Sequence, residues 1–165
     1  MTLGAWRLSK TRHLGTTWNG EGAKRSGGRW NSVGVPVVYT SATLSLALVE
    51  VLVHLPAGIL PSFSAIPIEF DDSLVLVAPA DELPPRWKAH PPPPETQTIG
   101  DRWAGEARSA ILRVPSVVVS SEFNYVLNPL HPDFKRIAIG EAVPFPFDAR
   151  LGGATLLAPS SPARS

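Results

Sequence analysis

Eighteen prolines in 165 residues punctuate this chain into short elements. Each one fixes φ and removes a backbone donor, so long helices and central strands cannot run through them. Between these breaks the sequence predicts strands at Trp6-Arg7-Leu8, 35–40, 65–70, 74–77, 114–119, 123–127 and 134–140, where β-branched and aromatic residues gather. An Asp71-Asp72-Ser73 turn separates the third and fourth, and an Asn128-Pro129 turn follows the sixth. Residues 19–28, rich in glycine, are expected to form a loop. Residues 79–98, with Pro84-Pro85 and the run Pro91 to Pro94, are expected to form an extended surface loop. A short helix is expected over 101–112, and 153–165 as a loose tail. Many short strands with one or two helices predict an α+β fold in a single domain spanning 1–165.

The strongest helix signal runs from Ser41 to about His54. Ser41 or Thr43 can cap its start, and Pro56 with Gly58 stops it. Leu44, Leu46, Leu48, Val49, Val51, Leu52 and Val53 cover nearly its whole circumference, which predicts burial rather than amphipathicity. Glu50 lies in the middle of that apolar surface. A lone carboxylate is costly there unless it is paired, hydrogen-bonded or functional. The structural explanation is a local pair with His54 at i,i+4 or a salt bridge to a neighbouring basic residue.

Composition narrows the chemistry. The chain has no cysteine, which excludes disulfides, thiolate metal sites and cysteine nucleophiles. The spacing of Glu50 and His54 can hold a metal on one helix face, but His13, His90 and His131 stand at no recognisable ligand spacing, so no metal site is expected. There is no Walker loop, no Gly-x-Gly-x-x-Gly after a strand, and no Gly-x-Ser-x-Gly elbow to activate a serine. The first residues lack the pattern of a signal peptide, and the apolar run 44–55 is too short to span a bilayer, which predicts a cytoplasmic protein with no membrane segment.

The net charge of +1 hides an asymmetry: residues 1–30 carry six basic side chains against one acid. Such a segment can attract phosphates or an acidic partner. Trp6, Trp18 and Trp30 accompany the charges, but no nucleic-acid recognition module is legible, and direct nucleic-acid binding is not expected. Arg29 follows Gly27-Gly28, where backbone can approach a ligand closely and a guanidinium can clamp phosphate. Tyr39 ends a strand just before the Glu50 helix and can either stack on a flat ring or serve as a core tyrosine.

In succession, several segments resemble the RES domain, named for Arg, Glu and Ser. They are Trp6-Arg7-Leu8, Gly28-Arg29-Trp30-Asn31, Pro36-Val37-Val38-Tyr39-Thr40, Leu48-Val49-Glu50-Val51, and Val114-Pro115-Ser116 leading to Asn124-Tyr125 and Asn128-Pro129-x-His131-Pro132. The resemblance covers residues 5 to 140 and implies a fold similar to ADP-ribosyltransferase toxins, with short strands in a split β core and a buried helix carrying Glu50. It also implies the toxin of a bacterial toxin–antitoxin pair, with an Xre-like antitoxin covering an NAD⁺ cleft.

By position, the family's Arg is Arg29, its Glu is Glu50, and Tyr39 is the tyrosine between them. Its Ser is Ser116, with Ser120 and Ser121 as other readings of the same region. The catalytic set this implies is Glu50, Arg29 and Tyr39. The NAD⁺-binding set is Arg7, Arg29, Tyr39, Ser116 and Asn31, with no metal required. The expected reaction is cleavage of the nicotinamide–ribose bond by a glycohydrolase or phosphorylase. Mono-ADP-ribosylation of a cellular protein is the alternative, and a non-catalytic binding or regulatory module is a third reading.

Overall fold

A computed structural model describes residues 1–56 and 61–151. Eight strands form one sheet: β1 (Thr2–Lys10), β2 (Val38–Ser41), β3 (Phe63–Asp71), β4 (Val75–Val77), β5 (Ile111–Pro115), β6 (Phe123–Leu127), β7 (Ala138–Ile139) and β8 (Val143–Phe145). Their order is β4-β5-β6-β2-β1-β3-β7, with β8 also on β3, and β4–β5 is the parallel pair. Three helices accompany it: α1 (Glu21–Ser26), α2 (Leu44–Leu52) and α3 (Pro94–Gly105). The α+β expectation holds.

The sheet is split where β1 meets β2. β1 pairs with β3 along its full length, from Thr2↔Asp71 to Lys10↔Phe63, whereas β1 and β2 share only the register pair Trp6↔Ser41. Beyond that point the strands part, and the Arg7 side chain bridges the gap. Its Nη1 donates to the Tyr39 carbonyl at 2.8 Å and its Nε to Thr17 Oγ1 at 2.7 Å.

Packing on both faces explains the apolar strands. Leu112, Val114 and Val126 point to a cluster with Trp30 and Trp103, while Ile111, Tyr125 and Leu127 point to one with Phe70 and Ile68. Strands covered on both sides read as continuous apolar runs rather than alternating ones. A third cluster joins Leu8, Phe63 and Ala65 to Ala47 of α2.

Several boundaries move. Residues 19–28 do not form a loop throughout: α1 occupies Glu21–Ser26, and glycines with positive φ, Gly20 and Gly27, fix its two ends. Glu21 stands in its first turn and Lys24 and Arg25 in its last, matching the helix dipole. The expected helix over 101–112 lies earlier, at Pro94–Gly105, because the last proline of the run sits at N1, where its missing N–H costs nothing. The Pro-rich loop therefore ends at Pro93 rather than 98. Strand 114–119 shifts back to Ile111–Pro115, since Ser116 draws the following amides into a turn. Residues 132–136 wind into a 3₁₀ turn, so the last predicted strand keeps only Ala138–Ile139. The strand Val143–Phe145 is an addition. The expected tail, 153–165, and Gly58 lie outside the described residues.

The α2 helix begins at Thr43, whose Oγ1 accepts from Leu46 N at 3.1 Å. Only Leu46 and Ala47 are fully buried in it. Leu44, Leu48 and Val51 pack partly against β1 and β3, and Val53 is 53% exposed. The helix thus lies along the sheet with one face down instead of being sunk in the core, because a small sheet covers only one side of it.

Candidate active site

Glu50 is half-buried on α2. Its Oε1 accepts two hydrogen bonds, from Ser116 Oγ at 2.8 Å and from Asn124 Nδ2 at 2.7 Å. Among the described residues Oε2 has no hydrogen-bond partner. His54 is exposed and takes no part, so the local i,i+4 explanation of Glu50 is not what the fold uses.

Ser116 is fully buried, and its oxygen accepts the backbone N–H groups of Val118 and Val119 at 3.1 and 3.0 Å. With its lone pairs engaged, the hydroxyl hydrogen is directed at Glu50. This makes Ser116 a donor to a carboxylate rather than an activated nucleophile. Ser120 and Ser121 are exposed, and Ser116 is the serine of that region that meets Glu50.

The second wall of the candidate site is the turn 28–32, whose Arg29 feels the charge of Glu50. Tyr39 Oη accepts the Trp30 N–H at 3.0 Å and donates to Asn31 Oδ1 at 2.7 Å. Burial raises the Tyr39 phenol well above its ordinary value, so it stays neutral. Asn31 is wholly buried, and its Nδ2 donates to the carbonyls of Ala23 and Val35. Both ends of that amide are taken by protein. Asn31, expected among the cofactor contacts, sits behind Tyr39 and fixes the turn. Gly28 has to be glycine, because a Cβ there would come within 2.6 Å of Tyr39 Oη and 2.9 Å of Asn31 Oδ1.

Arg29 projects from this turn. Its Nη1 donates to the carbonyls of Trp87 and Ala89 at 2.6 and 2.8 Å, which ties the Pro-rich loop to the site. Trp87 packs on Trp30 with ring centroids 6.1 Å apart. Burial lowers the Arg29 guanidinium, and the charge of the Glu50 carboxylate opposes that shift. Arg29 and Glu50 therefore share one electrostatic environment without an ion pair among the described residues. Arg7 is set apart: two of its donors are spent on the sheet seam, and burial lowers it to about 10.

Cross-strand register explains how the walls meet. Ser41 and Asn124 are directly paired, so they share a face, and Tyr39 two residues earlier on β2 lies on that same face. Helix α3 holds the turn from behind: Asp101 accepts from Ser32 N and Oγ, and Gln97 Nε2 donates to the Gly28 carbonyl at 3.0 Å. Sequence reasoning did not place Ser41, Gln97 or Asp101 at the site, and it gave Asn124 no role beyond its place in a family motif. The alternation of Ser41 with Tyr39 was the available signal, but the pairing with β6 was not. The described residues contain no cluster of three His, Cys, Asp or Glu that could hold a metal.

Comparison with known proteins places this arrangement. The RES domain matches residues 5–148. This chain belongs to the RES domain family. The "Toxin Res" of Yersinia enterocolitica is 36% identical over 148 residues, covering 88% of this chain and 97% of that protein. The "Prs ADP-ribosylating toxin" of a Sphingobium strain is 38% identical over 157 residues, covering 92% and 98%. The M. tuberculosis MbcT–MbcA toxin–antitoxin complex contains a chain of similar fold, with TM-score 0.67 and 18% identity over 88% of this chain and 85% of that one. No helix among the described residues is long and apolar enough to cross a membrane.

Proposed function

We propose that this RES-family chain is the toxin of a bacterial toxin–antitoxin pair and that it splits NAD⁺ at the nicotinamide–ribose bond, depleting the cell of NAD⁺. The observation that carries the reading is the Glu50 carboxylate, held through Oε1 by Ser116 and Asn124 while Oε2 has no hydrogen-bond partner among the described residues. When the bond breaks, its electron pair leaves with nicotinamide and neutralises the pyridinium. The ribose C1′ becomes oxocarbenium-like, and a nearby carboxylate stabilises that charge and orients the 2′-hydroxyl. Water then adds to C1′ and gives its proton to solvent, or inorganic phosphate adds in its place.

Tyr39, locked at its hydroxyl, offers a ring for the nicotinamide to stack on. Arg29 keeps Nε and Nη2 for the pyrophosphate, while Nη1 stays with the loop. Arg7 supports the cleft floor from the seam of the sheet. Ser116 acts through Glu50. No metal is needed for these steps. The antitoxin, Xre-like by family resemblance, would cover the cleft in the cytoplasm.

Transfer of ADP-ribose to a protein is the second reading, favoured by the name of the Sphingobium relative. The test is incubation of purified protein with adenine-labelled NAD⁺, with and without lysate and then with antitoxin. Free labelled ADP-ribose or its phosphate is the expected product, and antitoxin should suppress it. Label fixed to a lysate protein would favour transfer. No nicotinamide release in any sample would leave a non-catalytic module.

A further inference from the structure

We propose that Asn124 and Ser41 form a positioning relay that fixes the Glu50 carboxylate, an inference that rests on the NAD⁺-splitting reading above. The chain of contacts is continuous. Ser41 Oγ donates to Asn124 Oδ1 at 2.7 Å, and Asn124 Nδ2 donates to Glu50 Oε1 at 2.7 Å. An amide can face either way, so its orientation depends on its partners. Because the Glu50 carboxylate only accepts, the amide has to turn its NH₂ group to Oε1, and its Oδ1 is left to accept the Ser41 hydroxyl hydrogen, which holds the amide in that orientation. Ser41 is 4% exposed, which keeps water from competing for the amide oxygen.

Two donors on Oε1, arriving from different elements, define the plane of the carboxylate. Ser116 approaches from the turn after β5 and Asn124 from β6. A single donor would leave the group free to rotate about it. The second fixes the rotation and holds Oε2 in one orientation, without a hydrogen-bond partner among the described residues. A third link holds the helix itself: Thr43 Oγ1 donates to Glu122 Oε2 at 2.9 Å, tying the start of α2 to the end of the same turn. Asn124 is thus a positioning residue. It acts on the transition state through Glu50, and its loss should lower kcat while leaving NAD⁺ binding to Arg29 and Tyr39.

The discriminating variant is Asn124→Asp, which keeps the shape of the side chain and removes the donor. Nicotinamide release is followed in the wild type, Asn124→Asp, Asn124→Ala, Ser41→Ala and Ser41→Ala/Asn124→Ala, each checked for folding by thermal melting. The expected result is a kcat about tenfold or more lower in both Asn124 variants, with KM for NAD⁺ within about twofold of wild type. Ser41→Ala alone should lose about threefold, and it should add nothing in the Asn124→Ala background, because it acts only through that amide. A folded Asn124→Asp with wild-type kcat would overturn the proposal, as would fully additive losses in the double variant. A wild type that releases no nicotinamide would instead overturn the functional reading, and the relay with it.

Discussion

The two walls of the candidate site are built differently. On the Tyr39 wall the polar groups that fix the turn are engaged: Asn31 uses both ends of its amide, and Tyr39 both accepts and donates. On the Glu50 wall one carboxylate oxygen is held twice, and the other has no hydrogen-bond partner among the described residues. A wall whose groups are satisfied presents shape. A wall that keeps a charged oxygen unmatched keeps the capacity to attract positive charge. Gly28 belongs to the first by removing a side chain, and Asn124 to the second by supplying a donor.

The comparison breaks most clearly at Glu50. Glu50→Gln preserves size and removes the charge, so nicotinamide release should fall about a thousandfold while the melting temperature stays within a few degrees. Turnover within tenfold of wild type in the folded variant would mean that the open oxygen does not serve the reaction. The other wall is broken by Gly28→Ala. Its methyl group would push against Tyr39 Oη and Asn31 Oδ1, so their hydrogen bond has to open. The expected cost is about 2 kcal/mol in denaturant unfolding, accompanied by weaker NAD⁺ binding as Arg29 shifts with the turn. Unchanged stability would show that this wall is adjustable.

The different build of the walls also explains what could be read in advance. Glu50 stood out because a carboxylate among seven apolar helix positions conflicts with its surroundings. The strand at Phe123–Leu127 was recovered because its apolar run has no competing turn chemistry. The partners of Glu50 were a different matter. Ser116 was placed at the site by family position, and Asn124 appeared only within a family motif and without a role, although both reach the carboxylate across 66 and 74 residues of sequence. Pairing at that distance is set by strand register, which local patterns do not encode. The expected all-round burial of α2 failed because hydrophobicity states what a helix can cover, not how much sheet there is to cover it. Proline misled at Pro94, where it opens a helix instead of preventing one.

A smaller effect tests whether the Tyr39 hydroxyl, engaged by Trp30 and Asn31, is shielded from water. Burial raises the Tyr39 phenol above its ordinary value of about 10. Below that pH, folded and unfolded chains both hold the neutral phenol, and it contributes no pH dependence. As pH rises through 10, the unfolded chain releases the proton while the folded chain retains it, so stability falls. The limiting slope for one such group is about 1.4 kcal/mol per pH unit. Tyr39→Phe should be less stable than wild type at pH 8 by about 1–2 kcal/mol, because the Trp30 N–H and Asn31 Oδ1 lose their partner. That gap should narrow by about 1 kcal/mol between pH 9.5 and 11, since the variant has no phenol to ionise at this position. Urea unfolding of both proteins across that range measures it, and the remaining lysines and Tyr125 cancel in the difference. A gap that stays constant with pH would mean the Tyr39 hydroxyl ionises as readily in the folded chain as in the unfolded one. The wall would then be open to water, and the contrast with Glu50 would be one of position rather than of satisfied and unsatisfied groups.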